Sequence, residues 1–365
     1  MQFSVEAKAL NEILSKARRV CPRAVDFNLV PGKKSGITLI VSADDRVAKF
    51  KLHNVSVEDS THPITAPLEP VLGVIKGRKV LEFTSDGTKL AFTDGKSYKG
   101  TIQINEYAEI PLEAPEGGLV VDLKDPDNSS VFYQTVQDVT LSGSFSGAES
   151  MSMLFQMGKK GVLATCYDPY YMVRVTDNSA TYEPIRSAVD LGILSTIQGL
   201  VGKGDSYVLT ITENSVFATN SEFMVRFPAV QIESVDESMK NINSFISGWL
   251  EEAYTRAYVE RDALDSALAN VGAFYQRGTP IQFVASSKGL TVGIQSATGT
   301  IKAAIPCKVE NPTKDSFNVE YQLLSEILEK IEGDTIPLSF LKDRLLYIHT
   351  DTGSRTIFAS VALQS

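Results

Sequence analysis

The 365-residue sequence contains few of the side chains that carry enzyme chemistry: it has three histidines, three cysteines and one tryptophan. The cysteines are far apart and odd in number, so they cannot all pair within the chain, and reduced thiols of a cytosolic protein are expected. His53, His62 and His349 have no cysteine, histidine or carboxylate at the spacing of a zinc or iron site. We therefore expect no bound metal and no cofactor.

Sequence motifs for catalysis and for membranes are also missing. There is no GxxxxGK[ST] phosphate loop and no GxSxG nucleophile elbow, and no pair of carboxylates suggests acid–base catalysis. No apolar run reaches the length of about 18 residues that spans a membrane, and the first residues lack a basic region followed by an apolar one. The sequence predicts a protein that is not an enzyme, is not membrane-spanning and is not secreted.

The net charge is negative, which at first sight argues against binding to nucleic acid. The chain has 35 Lys and Arg against 44 Asp and Glu, a formal charge of −9. This charge is distributed unevenly: it is +2 over residues 1–115, −8 over 116–236 and −3 over 237–365. An acidic total is therefore compatible with a segregated basic surface in the first third of the chain.

The sequence does contain an internal repeat of about 120 residues. Three segments share a glycine, an alternating apolar stretch, a short polar turn and a second alternating stretch, which is the signature of a β-hairpin. They span residues 36–52, 161–175 and 289–306, and their starts are 125 and 128 residues apart.

Each hairpin lies between two predicted helices, and short strands follow the second helix. Apolar residues at a spacing of three to four give each helix one buried face, and glycines after the second helix suit a left-handed stop. The first helices are predicted over residues 6–20, 130–141 and 261–271, and the second over 68–77, 190–199 and 321–333.

These patterns predict an α+β protein made of three tandem domains, each with two helices packed on antiparallel sheets. The predicted domains are residues 1–115, 116–236 and 237–365. The third begins with an extra helical segment at about residues 241–258, which carries Trp249, the single tryptophan.

Over essentially its whole length the chain resembles the bacterial-type DNA polymerase sliding clamp. The resemblance depends on the order of three such domains, with local anchors in Met1-Gln-Phe-Ser-Val, the helix from Leu10 to Val20, Phe227-Pro228 and the region from Tyr321 onward. It implies a cytoplasmic processivity factor: two subunits close head to tail into a ring that encircles duplex DNA, and short linear peptides attach the polymerase and the clamp loader.

In a clamp, the basic face of the first helix would line the hole. At about 100° per residue, Lys8 and Arg19 lie opposite the Leu10/Ala17 stripe. The alternative is an ordinary solvated helix face. The residues predicted to face DNA are Lys8, Lys16, Arg18, Arg19, Arg23, Lys76, Arg78, Lys79, Arg186 and Arg256.

The resemblance also implies a pocket for partner peptides between the second and third domains. The predicted pocket residues are Leu154, Phe155, Tyr167, Pro169, Tyr170, Met172, Pro228, Val230, Ala359, Val361 and Leu363. The alternative for each is ordinary hairpin packing. The Gly-His-Arg-Leu-like turn of the family is replaced here by Pro169-Tyr-Tyr-Met172, and the Met-Pro ending is missing. Such divergence suggests a different partner peptide, as in a virus-encoded clamp that serves its own polymerase.

Two other functional classes remain open at this point. A non-enzymatic β-rich repeat scaffold, such as a viral assembly protein, would share the repeats and have no role on DNA. A hydrolase acting on acidic polymers is the third class, and the missing catalytic constellation argues against it.

Overall fold

The computed structural model describes residues 1–32, 36–59, 62–115, 119–122, 126–139, 152–182, 184–201, 207–212, 214–229, 232–252, 254–341 and 344–364. Within these ranges the chain is α+β, and its strands pair antiparallel. The elements fall into three successive groups with one common order, as the sequence repeat predicts.

The first repeat runs from strand to helix, through a set of strands to a second helix, and ends in three strands. Its elements are β1 (Gln2–Glu6), α1 (Ala7–Val20), β2 (Asp26–Pro31), β3 (Ile37–Ala43), β4 (Arg46–Leu52), β5 (Val55–Asp59), β6 (Ile64–Pro67), α2 (Leu68–Ile75), β7 (Val80–Ser85), β8 (Lys89–Thr93) and β9 (Lys99–Gln103).

The second repeat has the same order with one strand fewer in the described ranges. Its elements are β10 (Leu119–Asp122), α3 (Pro126–Val139), β11 (Ser152–Gly158), β12 (Gly161–Tyr167), β13 (Tyr171–Asp177), β14 (Ile185–Asp190), α4 (Leu191–Leu200), β15 (Val208–Ile211), β16 (Ser215–Thr219) and β17 (Phe223–Pro228).

The third repeat is preceded by an additional helix. Its elements are α5 (Ile232–Glu251), β18 (Thr255–Glu260), α6 (Arg261–Gly272), β19 (Ile281–Ser286), β20 (Gly289–Ser296), β21 (Gly299–Ile305), β22 (Lys308–Glu310), β23 (Ser316–Val319), α7 (Tyr321–Lys330), β24 (Thr335–Leu341), β25 (Leu345–Asp351) and β26 (Arg355–Ala362).

The predicted fold class and the predicted hairpins and helices are confirmed by these elements. The ends of the described helices agree with the predicted ones to within three residues, except at two places. Helix α3 begins at Pro126 instead of residue 130, and proline at the first helical turn is compatible with the missing amide donor. The extra helix lies earlier than predicted: α5 covers residues 232–251, and the later residues of the predicted segment belong to β18, where Tyr258 pairs with Pro337.

The described chain divides into two compact units that do not follow the linear repeat boundaries. One unit comprises residues 1–124 and 193–229, and the other comprises 125–192 and 230–365. The reason is strand pairing: β17 of the second repeat pairs with β4 of the first, and β13 of the second pairs with β26 of the third. The three linear domains remain a prediction beside this division.

The first unit contains two sheets. Their strand orders are β5-β1-β7-β8-β9 and β10-β15-β16-β17-β4-β3-β2-β6. Helix α1 buries Leu10, Leu14 and Ala17 and packs on β4 and α2. This packing leaves the opposite side of α1 in solvent.

The second unit contains a nine-stranded sheet, β14-β11-β12-β13-β26-β25-β24-β18-β22, and a four-stranded sheet, β21-β20-β19-β23. The large sheet is covered on both faces. Helix α3 lies against one face, where Phe132 meets Phe155 edge-on at 6.5 Å between ring centroids. Helix α5 lies on the other face, where its Ile242 packs in a cluster with Leu154. Successive strand residues alternate between these two faces.

Candidate functional site

A basic surface lies on helix α1 of the first unit. Lys8, Arg18 and Arg19 are exposed, and Lys16 is half-buried on the flank of the helix. Their outward position follows from the sequence, because the apolar stripe of the same helix is the side buried against β4 and α2.

Several of these cations form exposed ion pairs. Lys16 pairs with Glu12 at 3.2 Å one turn earlier, and Arg18 pairs with Glu69 of α2 at 3.0 Å. Lys8 and Arg19 have no carboxylate within 4 Å among the residues that the structure describes. Exposed pairs are weak and screened by salt, so all four charges remain available to an anionic partner.

Four further predicted cations follow the two helices of the first repeat. Arg23 pairs with Asp44 at 3.7 Å. Arg78 stacks over the ring of Tyr98, with its guanidinium carbon 3.8 Å from the centroid, and also approaches Asp94 at 3.9 Å. Lys76 and Lys79 are exposed. Arg78 is thus held in place by its neighbours, whereas the two lysines project into solvent.

The last two predicted cations are placed differently, on the large sheet of the second unit. Arg186 on β14 pairs with Asp236 of α5 at 3.1 Å. Arg256 on β18 donates to the hydroxyls of Tyr254 at 2.7 Å and Ser339 at 3.2 Å. Strand register places both arginines on the face that α5 covers, opposite the face that α3 covers. Arg186 and Arg256 are therefore sheet residues beside α5 and do not form a basic helix surface like that of α1.

A groove of about 740 Å³ opens on the second unit. Four of the predicted pocket residues line it, namely Pro169, Tyr170, Val361 and Leu363, together with Leu323 of α7. The ring of Tyr170 is 53% exposed, so a large aromatic surface is available at the mouth. Apolar residues such as Tyr170 and Leu323 alternate in the lining with polar ones such as Glu320.

Hydrogen bonds to backbone groups hold the two walls of this groove together. The carboxylate of Asp168 accepts the amide hydrogens of Tyr170 at 2.6 Å and Tyr171 at 2.9 Å, which closes the β12–β13 turn. The amide of Ala362 donates to the carbonyl of Tyr170 at 2.7 Å, and the amide of Leu363 donates to the carbonyl of Arg344 at 3.0 Å. The groove is therefore largely preformed.

The rim of the groove carries both charge signs. Glu320 accepts the hydroxyl hydrogen of Tyr275 at 2.6 Å and caps α7 by accepting the amide hydrogen of Leu323 at 2.7 Å. Burial and this carboxylate raise the pKa of Tyr275 to about 12, so the phenol stays protonated and keeps donating. Arg277 supplies a positive charge on the same rim. No sequence motif marked these rim residues.

The other predicted pocket residues that the structure describes do not line this groove. Leu154 and Met172 lie under α5, and Tyr167 is 37% exposed at the end of β12. Phe155 and Ala359 are buried on the α3 side of the sheet. Pro228 is exposed on β17 of the first unit, and Val230 lies outside the described residues. Neighbours such as Leu154 and Phe155 cannot share one pocket, because a strand directs them to opposite faces.

The buried thiols are not arranged for catalysis. Burial raises the pKa of Cys21 and of Cys166 to about 11, so both are protonated at neutral pH. Cys166 lies 3.7 Å from the hydroxyl of Tyr171 in the core. Within the described part of the chain, no three His, Cys, Asp or Glu side chains gather as metal ligands, and no helix is long and apolar enough to cross a bilayer.

No protein-family model matches the chain, and no curated protein matches it. Solved structures do match its fold. A putative DNA polymerase III beta subunit from Eubacterium rectale superimposes with a TM-score of 0.71 at 12% identity, with 100% of each chain covered. The fold is that of a bacterial DNA polymerase sliding clamp.

Two other clamps give the same result. The sliding clamp from Bacillus subtilis has a TM-score of 0.70 at 14% identity, with 100% of this chain and 99% of that chain covered. The DNA polymerase III subunit beta from Pseudomonas aeruginosa has a TM-score of 0.69 at 14% identity, with both chains fully covered. At these identities the similarity establishes the clamp fold and leaves the activity to be argued from the residues.

Proposed function

We propose that the protein is a DNA polymerase processivity factor, a cytoplasmic sliding clamp without catalytic activity that encircles duplex DNA and tethers a replicative polymerase. The observation that carries the proposal is the clamp fold over the whole chain, combined with the basic surface on α1. The divergent turn at Pro169–Met172 is consistent with a virus-encoded protein that serves its own polymerase.

The charge pattern suits sliding. A clamp that is held topologically needs contacts with DNA that are weak, independent of sequence and easily exchanged, and Lys and Arg contacts to phosphates have these properties. Lys8, Arg18 and Arg19 sit on one exposed helix surface, while the chain as a whole carries −9. An acidic remainder disfavours adhesion to DNA elsewhere on the protein.

Closure into a ring is proposed to occur between two copies of the chain, head to tail. Within one chain, the hairpin strand of a repeat pairs with the last strand of the next repeat: β4 with β17, and β13 with β26. The equivalent strands that remain are the hairpin strand β21 of the third repeat and the last strand β9 of the first repeat. Each is the edge strand of its sheet. Edge strands present unpaired backbone groups, so β21 of one copy would pair with β9 of another.

The groove beside Tyr170 and Leu323 is proposed to bind short linear peptides of the polymerase and of a clamp loader. A groove lined by both apolar and polar side chains, with an exposed aromatic residue and a mixed-charge rim, suits one or two apolar anchors beside a polar segment. On this proposal, Tyr170→Ala would weaken polymerase attachment and leave retention on DNA unchanged.

The test compares circular with linearised DNA. The wild-type protein is expected to form a dimeric ring in electron micrographs and, once loaded, to remain on nicked circular DNA and slide off linear DNA. A strict monomer at micromolar concentration contradicts the proposal. A dimer that is never retained on circular DNA would favour the repeat scaffold.

Replacing Lys8, Arg18 and Arg19 with Glu is expected to lower retention on circular DNA about tenfold or more. The slope of log affinity against log salt concentration should become shallower by about one for each residue replaced. A matched control reverses three exposed lysines of the same unit, Lys51, Lys89 and Lys96. Equal losses in both variants would show that net charge, and not the α1 surface, is responsible.

A further inference from the structure

Helix α5 is an addition to the repeat. The first and second repeats are joined by a linker that contains no helix over its described residues, 104–115. At the next junction the chain instead forms the 20-residue α5. This helix packs through one stripe formed by Met239, Ile242, Ile246 and Trp249.

The surface beneath α5 is an apolar patch on the large sheet. It includes Leu154 of β11, Met172 of β13, Leu345 and Tyr347 of β25 and Phe358 of β26, all buried. The patch therefore extends across the β13–β26 pairing that joins the second repeat to the third.

Aromatic rings connect the sheet to the outside of α5. Phe358 stacks on Tyr347 with centroids 5.2 Å apart, and Trp249 stacks on Phe358 at 6.1 Å. Phe245 stacks on Trp249 at 5.9 Å and is itself 55% exposed. The stack thus begins in the buried sheet face and ends at an exposed ring on α5.

Among the described residues, α5 has few polar attachments: two ion pairs and a hydrogen bond of 3.5 Å from the hydroxyl of Tyr347 to the carbonyl of Trp249. Asp236 pairs with Arg186 at 3.1 Å near one end of the helix, and Glu252 pairs with Arg344 at 2.5 Å just beyond the other. These side chains are 43–59% exposed, so each pair is weak. Seven of the 20 residues of α5 are Ser, Asn or Gly, which lower helix propensity, so the helix depends on its docking.

We propose that α5 is an exchangeable intramolecular occupant of this apolar sheet face, and that an amphipathic helix of a partner protein binds the face in its place. The partner helix would carry apolar side chains at the 3-4-3 spacing of α5. It would also carry an acidic residue toward each end, because Arg186 and Arg344 lie where Asp236 and Glu252 now meet them.

Displacement of α5 would change the contacts of the neighbouring groove through Arg344. The guanidinium of Arg344 holds Glu252, and its carbonyl accepts the amide hydrogen of Leu363, which lines that groove. The proposal concerns packing within the second unit only. Its outcome is therefore independent of whether the protein encircles DNA.

The test uses a labelled synthetic peptide with the sequence of residues 232–252. In the full-length protein, Ile242→Asn with Ile246→Asn removes half of the α5 stripe and leaves the sheet face intact. The peptide is expected to bind this variant with micromolar affinity, at least about tenfold more tightly than it binds wild type, where α5 competes. Fluorescence of Trp249 reports undocking of α5 directly.

Two matched controls accompany the test. The variant Ser244→Asn with Ser247→Asn changes exposed positions of α5 and should bind the peptide no better than wild type. A peptide carrying Asn at positions 242 and 246 should not bind at all. Failure of the unmodified peptide to bind the folded Ile242/Ile246 variant, or equal binding to wild type, overturns the proposal.

A second measurement needs no variant. Amide hydrogens of α5 in the wild-type protein are expected to exchange at least about 100-fold faster than those of β25 and β26, through local opening. Protection of α5 equal to that of these strands contradicts exchangeability. Global unfolding of the Ile242/Ile246 variant does so as well, since α5 would then be an obligatory part of the core.

Discussion

Arg355 gives the most direct test of how the second repeat is joined to the third. Its guanidinium lies between two carboxylates, Asp138 of α3 and Asp177 at the end of β13, the latter at 3.5 Å. The side chain of Arg355 is 15% exposed and each carboxylate is 8% exposed. Replacing Arg355 with Met keeps most of the volume and leaves two acids buried without their cation.

The expected loss is about 3 kcal/mol, at the lower end of the 3–5 kcal/mol for removal of one partner of a buried ion pair. The lower end applies because both carboxylates keep other donors. Asp138 still accepts from the side-chain amide of Gln134 at 2.9 Å, and Asp177 still accepts from the backbone amide of Ser179 at 2.9 Å. Neither donor carries the compensating positive charge.

Urea unfolding at neutral pH, followed by far-ultraviolet circular dichroism, measures this loss. The control Arg186→Met removes an exposed pair with Asp236, and we expect it to change the free energy of unfolding by less than about 1 kcal/mol. Adding Asp138→Asn and Asp177→Asn to Arg355→Met should recover most of the loss, since no buried charge then remains. Equal effects of Arg355→Met and Arg186→Met, or no recovery in the triple variant, would refute the reasoning.

Two further predictions concern the same unit, with the first unit providing one control. Gly161 has a φ of +89°, and an added Cβ would collide with the carbonyl oxygen of Asp177, so Gly161→Ala should lower the free energy of unfolding by at least about 2 kcal/mol. At Gly95 φ is +74° and an added Cβ would meet no atom within 4 Å. Gly95→Ala should therefore lower the free energy of unfolding by only about 1 kcal/mol in the same urea assay. Burial lowers the pKa of His349, with Arg256 adding to this effect and Asp351 opposing it. The unfolded chain therefore takes up a proton first as pH falls below about 6.5, and the free energy of unfolding should decline between about pH 7 and 5. His349→Gln should make this decline less steep, and an equally steep decline in the variant would contradict the prediction.

The repeat and its secondary structure could be predicted from sequence because their causes are local. Apolar spacing of three to four and alternation of period two reflect helix and strand geometry, and they recur at positions 125 and 128 residues apart. Helices α2 and α7 begin at Leu68 and Tyr321, as their apolar stripes predict. The outward position of Lys8 and Arg19 follows from the same stripe on α1.

The groove beside Tyr170 could be predicted only in part. The resemblance to sliding clamps implies Pro169, Tyr170 and Phe155 together, and the first two line the groove, but Phe155 belongs to the face that α3 covers. Which of two adjacent strand residues faces the groove depends on register, and a shift of one residue exchanges the faces. The contribution of Leu323 depends on where the cap at Glu320 places α7, which no periodic pattern reveals.

The amino-acid sequence by itself determined three copies of an α+β unit, the shortage of catalytic side chains and the concentration of basic residues in the first third. Each of these depends on composition or on short-range periodicity. Tertiary structure alone decided that β4 pairs with β17 and β13 with β26, so that compact units cut across the repeats. It also decided that α5 covers Phe358 and that Arg256 is held by tyrosines, because long-range strand register sets which side chains share a face.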